Sequence, residues 1–211
     1  MSKSKMNTKD KIRDKALEMF NERGIEYVGL RELAGILDMR VGNITYYFPT
    51  KDDLVYELSL ALTKKNSGIM VPSENITLTS FLEIQYKVFQ HHQQFRCLML
   101  SFVHLIQQNK RIADAYKETQ KTRKNTIKTN LKVLTESGYL QVKDEAELEF
   151  LVTTLALISR FWISEAVISF RNQTDDQQIR YYLNLVTTLF LPYSTSKGKK
   201  EIRLYLESLE K

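Results

Sequence analysis

Only seven glycines and three prolines punctuate 211 residues, and none of the prolines interrupts an apolar-periodic run. With so few breakers, long segments are free to stay helical, and apolar residues recur at the three- and four-residue spacing of a buried helix face. Helices are predicted over residues 8–23, 30–37, 41–48, 51–66, 78–94, 96–108, 110–137, 144–170, 175–191 and 199–210. Asn7 or Thr8 can cap the first, Gly24 supplies a left-handed stop, and Thr50 with Asp53 forms a capping box. No segment alternates with the period of a strand, and the sequence has no internal repeat. The fold class is all-α.

Composition narrows the function. Hydrophobic residues at 43% and charged residues at 27% are globular values. The single cysteine, Cys97, excludes an internal disulfide and argues against a cysteine-built zinc site. His91 and His92 are adjacent and point about 100° apart on a helix, so they do not form a two-ligand metal site. No nucleophile elbow, phosphate loop or His-Glu metal pattern is present, which disfavours an enzyme; no cofactor and no metal are expected. No apolar stretch follows the basic, polar start at residues 1–11, so no signal peptide is expected and Asn43, Asn75 and Asn172 match the glycosylation pattern by chance. Residues 150–170 are long and apolar enough to span a membrane, but Arg160 and Glu165 interrupt them. A buried helix of a cytoplasmic protein is the expectation, with no membrane partner.

Residues 30–48 carry the functional pattern. Two short predicted helices flank the turn Asp38-Met39-Arg40, and Leu33, Met39, Ile44 and Phe48 can lock the second helix against its neighbour. That is the arrangement of a helix-turn-helix, whose second helix presents its N-terminal half to the major groove. Arg40, Val41, Asn43 and Thr45 fall on or near that half, and Gly42 lets the backbone approach DNA closely. Tyr46, Tyr47 and Lys51 fall where phosphates would run, although a tyrosine pair can equally belong to a core. Arg31, Arg40 and Lys51 around an exposed Gly-Asn are hard to explain by packing.

Residues 24–34 (Gly-Ile-Glu-Tyr-Val-Gly-Leu-Arg-Glu-Leu-Ala) and 41–54 (Val-Gly-Asn-Ile-Thr-Tyr-Tyr-Phe-Pro-Thr-Lys-Asp-Asp-Leu) resemble the TetR/AcrR transcriptional regulators. The match covers about residues 8–56. It implies a helix-turn-helix DNA-binding domain at 1–56, followed by a helical effector-binding and dimerisation domain at 57–211. It further implies a homodimer that binds a palindromic operator in double-stranded DNA, with a small-molecule effector releasing it, most often as a repressor. Arg31 matches the family's base- or phosphate-contacting arginine. The chain departs from the pattern at Gly29, where a hydroxyl residue is usual. It departs also at Asp38 and Arg40 in the turn, and at Thr45 and Tyr47 in the second helix, where tyrosine and histidine are usual. These departures leave the scaffold intact but obscure the operator.

Beyond the motif, Leu148, Leu151, Leu155, Ile158 and Trp162 mark one face of the predicted helix at 144–170, while Phe150, Thr154, Leu157, Phe161 and Ile168 mark another. A helix apolar on two sides must be covered on two sides. The helix at 175–191 reads the same way, with Ile179, Tyr182, Leu183, Val186, Leu189 and Phe190. Two such helices per chain suit a four-helix dimer interface or a large monomeric core, and the resemblance favours the dimer.

On the helix at 110–137 the inward stripe holds Ile112, Tyr116, Thr119, Arg123, Ile127, Asn130 and Leu134. A buried arginine needs a partner, either a carboxylate such as Glu83 or Glu165 or an anionic or polar effector. Tyr116, Thr119 and Arg123, with Phe89, His92, Phe102 and Trp162, are therefore candidate ligand-binding residues. Residues 110–132 hold eight basic and two acidic residues, a surplus equal to the whole chain's +6. The basic balance is thus weak evidence for DNA. Rival readings are a helical dimeric interaction module and a regulator without a small-molecule effector.

Overall fold

The computed structural model describes residues 7–209. Residues 1–6 of the basic start and Glu210 at the expected end of the last helix lie outside them. Helices α1 (Thr8–Arg23), α2 (Leu30–Ile36), α3 (Val41–Tyr47) and α4 (Lys51–Ser67) are followed by α5 (Leu78–Gln94), α6 (Arg96–Leu100) and α7 (Phe102–Gln108). Then come α8 (Lys110–Glu136), α9 (Glu145–Ser169), α10 (Asp175–Phe190) and α11 (Ser196–Leu209). Among the described residues the only β pairing is an isolated antiparallel bridge between Leu140 and Ser194. The chain is all-α.

Local chemistry explains the boundaries. Asn7 Oδ1 accepts from Lys9 N–H at 3.2 Å, and Thr50 and Asp53 exchange the reciprocal bonds of a capping box. Gly24 ends α1 at φ 93°, ψ 148°, which is outside the left-handed helical well expected for it and in a region open essentially to glycine. The single helix expected over 96–108 breaks at Ser101 (φ −89°, ψ 9°), whose hydroxyl donates to Glu26 Oε1 at 3.2 Å. At Thr174 a second capping box with Gln177 starts α10.

The chain divides into two compact units, each assembled from two stretches of sequence. The first unit runs to residue 64 and resumes over 95–116. Its core joins Ile12, Ala16 and Phe20 of α1 to Leu33, Ile44, Phe48 and Leu54, with Phe95, Cys97, Leu98 and Ile112 contributed by the returning stretch. Burial pushes the Cys97 thiol up to about 12, so it is an inert core residue.

The second unit comprises 65–94 and 117–211. Phe81 meets Phe190 edge-on at 5.6 Å, Phe89 meets Trp162 at 5.2 Å, and Trp162 meets Tyr182 at 5.5 Å. On α9 the two apolar faces have different fates. Leu148, Leu151, Leu155 and Trp162 are buried, whereas Phe150 is 52% exposed, Leu157 49%, Phe161 37% and Ile168 75%. On α10 Ile179, Tyr182, Leu183, Val186 and Phe190 all turn inward, so its outer face carries instead Tyr181 and Leu185. Asn130 of α8 pins the loop at 68–75, accepting from Ser73 N–H at 3.1 Å and donating to Val71 O at 3.3 Å.

The start of α11 is clasped to the turn after α8. Thr195 N–H donates to Tyr139 O, Gln141 N–H to Tyr193 O, and the hydroxyl of Thr195 to Gly138 O. A Cβ at Gly198 would stand 2.2 Å from Tyr139 O, a contact no side chain can make without moving backbone. Overpacking of this kind costs about 1–3 kcal/mol, more than the helix propensity that alanine gains over glycine. Gly198→Ala is therefore expected to lower Tm by several degrees in thermal denaturation; an unchanged or raised Tm would show that the clasp yields.

Candidate DNA-reading helix and effector cleft

The turn between α2 and α3 is built by backbone geometry. Asp38 sits at φ 52°, the one non-glycine residue at positive φ among those described, and Met39 N–H donates to Ala34 O at 2.9 Å. Aspartate tolerates this region better than most residues, which is why the glycine usual at such a turn is dispensable here. Ile44 and Phe48 are buried and fix the inward side of α3. Its outward side is then determined by the helical period.

That outward side gathers most of the expected DNA-reading residues. Arg40, Val41, Gly42 and Asn43 are exposed at the N-terminal end of α3, and Arg31 is exposed on α2. Neither Arg31 nor Arg40 enters an ion pair among the described residues. Tyr46 is 81% exposed, while Tyr47 is half-buried against the core and meets the Tyr46 ring edge-on at 5.0 Å. The tyrosine pair is thus divided: Tyr46 is available to a partner and Tyr47 supports it. Thr45 donates its hydroxyl back to Val41 O at 3.3 Å. Lys51 is turned inward to Ile25 O at 2.9 Å and Glu26 O at 3.3 Å, so its ammonium ties α4 to the segment after α1. Asp53 carries a second tie: Thr50 and Arg111 hold its carboxyl below the usual range.

A cleft of about 490 Å³ lies within the second unit. One wall is the end of α4 and the following loop, with Asn66, Ser67, Met70, Val71 and Pro72. The other is a face of α8 with Glu118, Thr119, Thr122, Arg123 and Thr126. Of the expected ligand residues, Thr119 and Arg123 are brought together here. Phe89, His92 and Trp162 are not on its wall but in the core, at 0%, 2% and 1% exposure. Phe102 and Tyr116 belong to the first unit, where their rings meet at 4.8 Å. Glu165 accepts from Ser169 on its own helix. Asn66, Thr122 and Thr126 were not foreseen. Thr119, Thr122 and Thr126 share the i, i+3, i+7 spacing of one helix face, which is the signal that finds them.

Behind the cleft runs a chain of buried polar groups. The indole Nε1–H of Trp162 donates to His92 Nδ1 at 3.4 Å. The other ring nitrogen of His92, Nε2, lies 3.4 Å from the side-chain nitrogen of Asn66, and the ring also has a backbone hydrogen bond at Ser159. Asn66 Oδ1 lies 2.9 Å from His91 Nδ1. Burial, then the charges of Arg123 and His91, push the His92 imidazole down to about 3, so it stays neutral.

Two short helices joined by a turn, the second exposing its N-terminal half, define a helix-turn-helix DNA-binding protein. A family model described as "Bacterial regulatory proteins, tetR family" matches residues 12–58, and one described as "Bacterial transcriptional repressor" (TetR) matches residues 65–202. The chain belongs to the TetR family of transcriptional regulators, which are DNA-binding proteins and not enzymes. Over 54 residues it is 41% identical to a probable HTH-type transcriptional regulator, YttP, of Bacillus subtilis, covering 26% of each chain. Over 75 residues it is 35% identical to the HTH-type transcriptional regulator LuxR of Vibrio harveyi, covering 36% of each. The match therefore spans well under half the length of these curated relatives. Its fold is similar to that of a TetR-family regulator from Marinobacter aquaeolei, with a TM-score of 0.89 and 22% identity over 97% of this chain and 99% of that one. A putative regulator from Saccharomonospora viridis solved in complex with choline has a TM-score of 0.63 and 16% identity, over 84% of this chain and 94% of that one.

His92 gives a measurable pH dependence. Its folded pKa of about 3 lies below the value near 6.5 of an unfolded histidine. Above pH 6.5 neither state binds the proton and His92 contributes nothing. Below it the unfolded chain takes up a proton that the fold refuses, so stability falls by about 1.4 kcal/mol per pH unit down towards the folded pKa. In urea titrations His92→Gln should remove this slope between pH 6.5 and 4. The same slope in both proteins would mean that the fold admits the proton.

Proposed function

We propose that the protein is a homodimeric repressor that binds a palindromic operator and leaves it when a small molecule occupies the cleft. The observation that carries this reading is the outer face of α9. Phe150, Leu157, Phe161 and Ile168 form an apolar stripe that the chain's own second unit leaves exposed, continued on α10 by Tyr181 and Leu185. Water is a poor solvent for such a surface, and a second copy presents the same stripe in return. A two-fold dimer carries two copies of α3, whose half-sites then repeat about one DNA turn (roughly 34 Å) apart in inverted orientation.

In this reading Arg40, Val41, Gly42 and Asn43 approach base edges, while Arg31, Thr45 and Tyr46 position the duplex through phosphates. Tyr47 acts by supporting Tyr46, and Lys51 by holding the frame of the motif. The protein works in the cytoplasm, where the chromosome is. Helix α9 holds an 18-residue stretch with a mean hydropathy of 1.5 and is long enough to cross a membrane. Its inner face, however, is engaged in the core, and the outer stripe is narrow, as a helix-helix seam requires and a lipid-facing span does not.

Two substitutions separate the parts of this reading. Asn43→Ala should weaken operator binding by about 1–3 kcal/mol with Tm unchanged, measured by fluorescence anisotropy at fixed salt; undiminished affinity would remove α3 from the interface. Leu157→Glu should convert the dimer to a folded monomer in sedimentation and cost most of the operator affinity. A dimer surviving that change would place the two-fold elsewhere.

A further inference from the structure

The proposed effector reading leaves the chemistry of the ligand open, and the cleft itself narrows it. Sites for apolar ligands are lined mainly by aliphatic and aromatic side chains. Here no aromatic residue lines the cleft among the described residues, and Met70, Val71 and Pro72 supply its apolar side chains. Along α8, Thr119, Thr122 and Thr126 place three hydroxyls on one face, each able to donate and to accept. Among them stands Arg123, half-buried on the inward stripe of α8, while Glu118 is exposed. The arginine's charge reaches the core, since it helps to keep His92 unprotonated. A half-buried guanidinium beside several hydroxyls is suited to a carboxylate, which it can hold through two parallel hydrogen bonds.

Resting on the effector reading above, we propose that the cleft takes a small hydroxylated organic anion, with Arg123 meeting its carboxylate and the α8 threonines its hydroxyl groups. Asn66 ties the site to the rest of the unit. It is 2% exposed, stands in the cleft wall and contacts His92, whose other ring nitrogen accepts from Trp162 of α9. Occupancy of the cleft therefore changes the surroundings of the chain's one tryptophan. Trp162 is a built-in reporter, and it lies on the helix whose outer face is the proposed dimer seam.

Three probes of different charge test the assignment at constant ionic strength: gluconate, its uncharged counterpart of similar size, sorbitol, and the smaller cation choline. Gluconate alone is expected to raise Tm and to change Trp162 emission. Arg123→Gln should weaken its binding roughly 10- to 100-fold, the loss of a charge-assisted contact, with Arg123→Lys intermediate. Thr122→Val, at an exposed position, should weaken gluconate binding without affecting the ligand-free melt. His92→Phe should keep the Tm shift but lose the change in emission. An equal or larger response to sorbitol or choline, no response to gluconate, or a gluconate response undiminished in Arg123→Gln would overturn the proposal. Operator release, followed separately by anisotropy, distinguishes the two levels. Gluconate binding through Arg123 without release would leave the anion site standing and remove the effector reading, whereas release by sorbitol or choline would do the reverse.

Discussion

Helix α9 has more apolar surface than one chain can bury, and the proposed biology follows from that excess. Its inner face supplies Leu151, Leu155 and Trp162 to the core, and its outer face keeps four large apolar side chains in contact with water. Burying a wholly exposed side chain of this kind gains about 1.5–3 kcal/mol; these four are 37–75% exposed, so each has only a fraction of that left to gain, and a symmetric pairing collects it from both copies. That sum is large enough to offset the several kcal/mol lost when two molecules surrender independent motion. In the proposed dimer, two-fold symmetry of the protein would impose two-fold symmetry on its DNA site. The position of the apolar stripe on α9 thereby bears on operator architecture although α9 lies outside the helix-turn-helix.

The second constraint is polar. Burying a histidine and an asparagine is unfavourable unless their hydrogen-bonding atoms are met. Trp162 serves His92, His92 faces Asn66, and Asn66 reaches His91 at the edge of the unit. Such a chain is directional in a way that apolar packing is not, and an unmet polar group in this medium costs roughly 1–3 kcal/mol. Coupling energies between ligand sites in regulators are about the same size. A rearrangement at the cleft wall is thus energetically sufficient to bias the packing of α9, with no need for a large displacement.

Much of this was legible in the sequence because it depends on local rules. Helix count, the capping box at Thr50, the turn at 38–40 and the inward stripe of α8 all follow from spacing and from residue type. What stayed hidden depends on long-range contact. Nothing near Arg96 announces that residues 95–116 return to the core begun by α1, since Phe95 and Leu98 would look alike in either unit. On α10 the spacing picks out the inward residues Ile179, Tyr182, Leu183, Val186 and Phe190, but not the exposed pair Tyr181 and Leu185 on its outer side. Phe89, His92 and Trp162 have the composition of a ligand pocket, yet they are spent on one another. Lys51 looked like a phosphate contact, but a carbonyl partner 26 residues earlier in the chain has no local signature.

Charge shows why local position outweighs a total. Residues 110–132 carry the chain's whole surplus, and part of it is met within the second unit: Lys124 pairs with Glu149 and Lys128 with Glu145, at the acidic start of α9. These pairs are exposed and screened by salt, so their service is orientation more than stability. The first unit is the reverse case. Several of its cations are also paired, Arg13 with Asp10 and Asp14 and Arg23 with Glu32, while among the described residues Arg31 and Arg40 stand on the motif without such a carboxylate. A phosphate or a base edge approaching the motif therefore meets cations that need not first give up an ion pair.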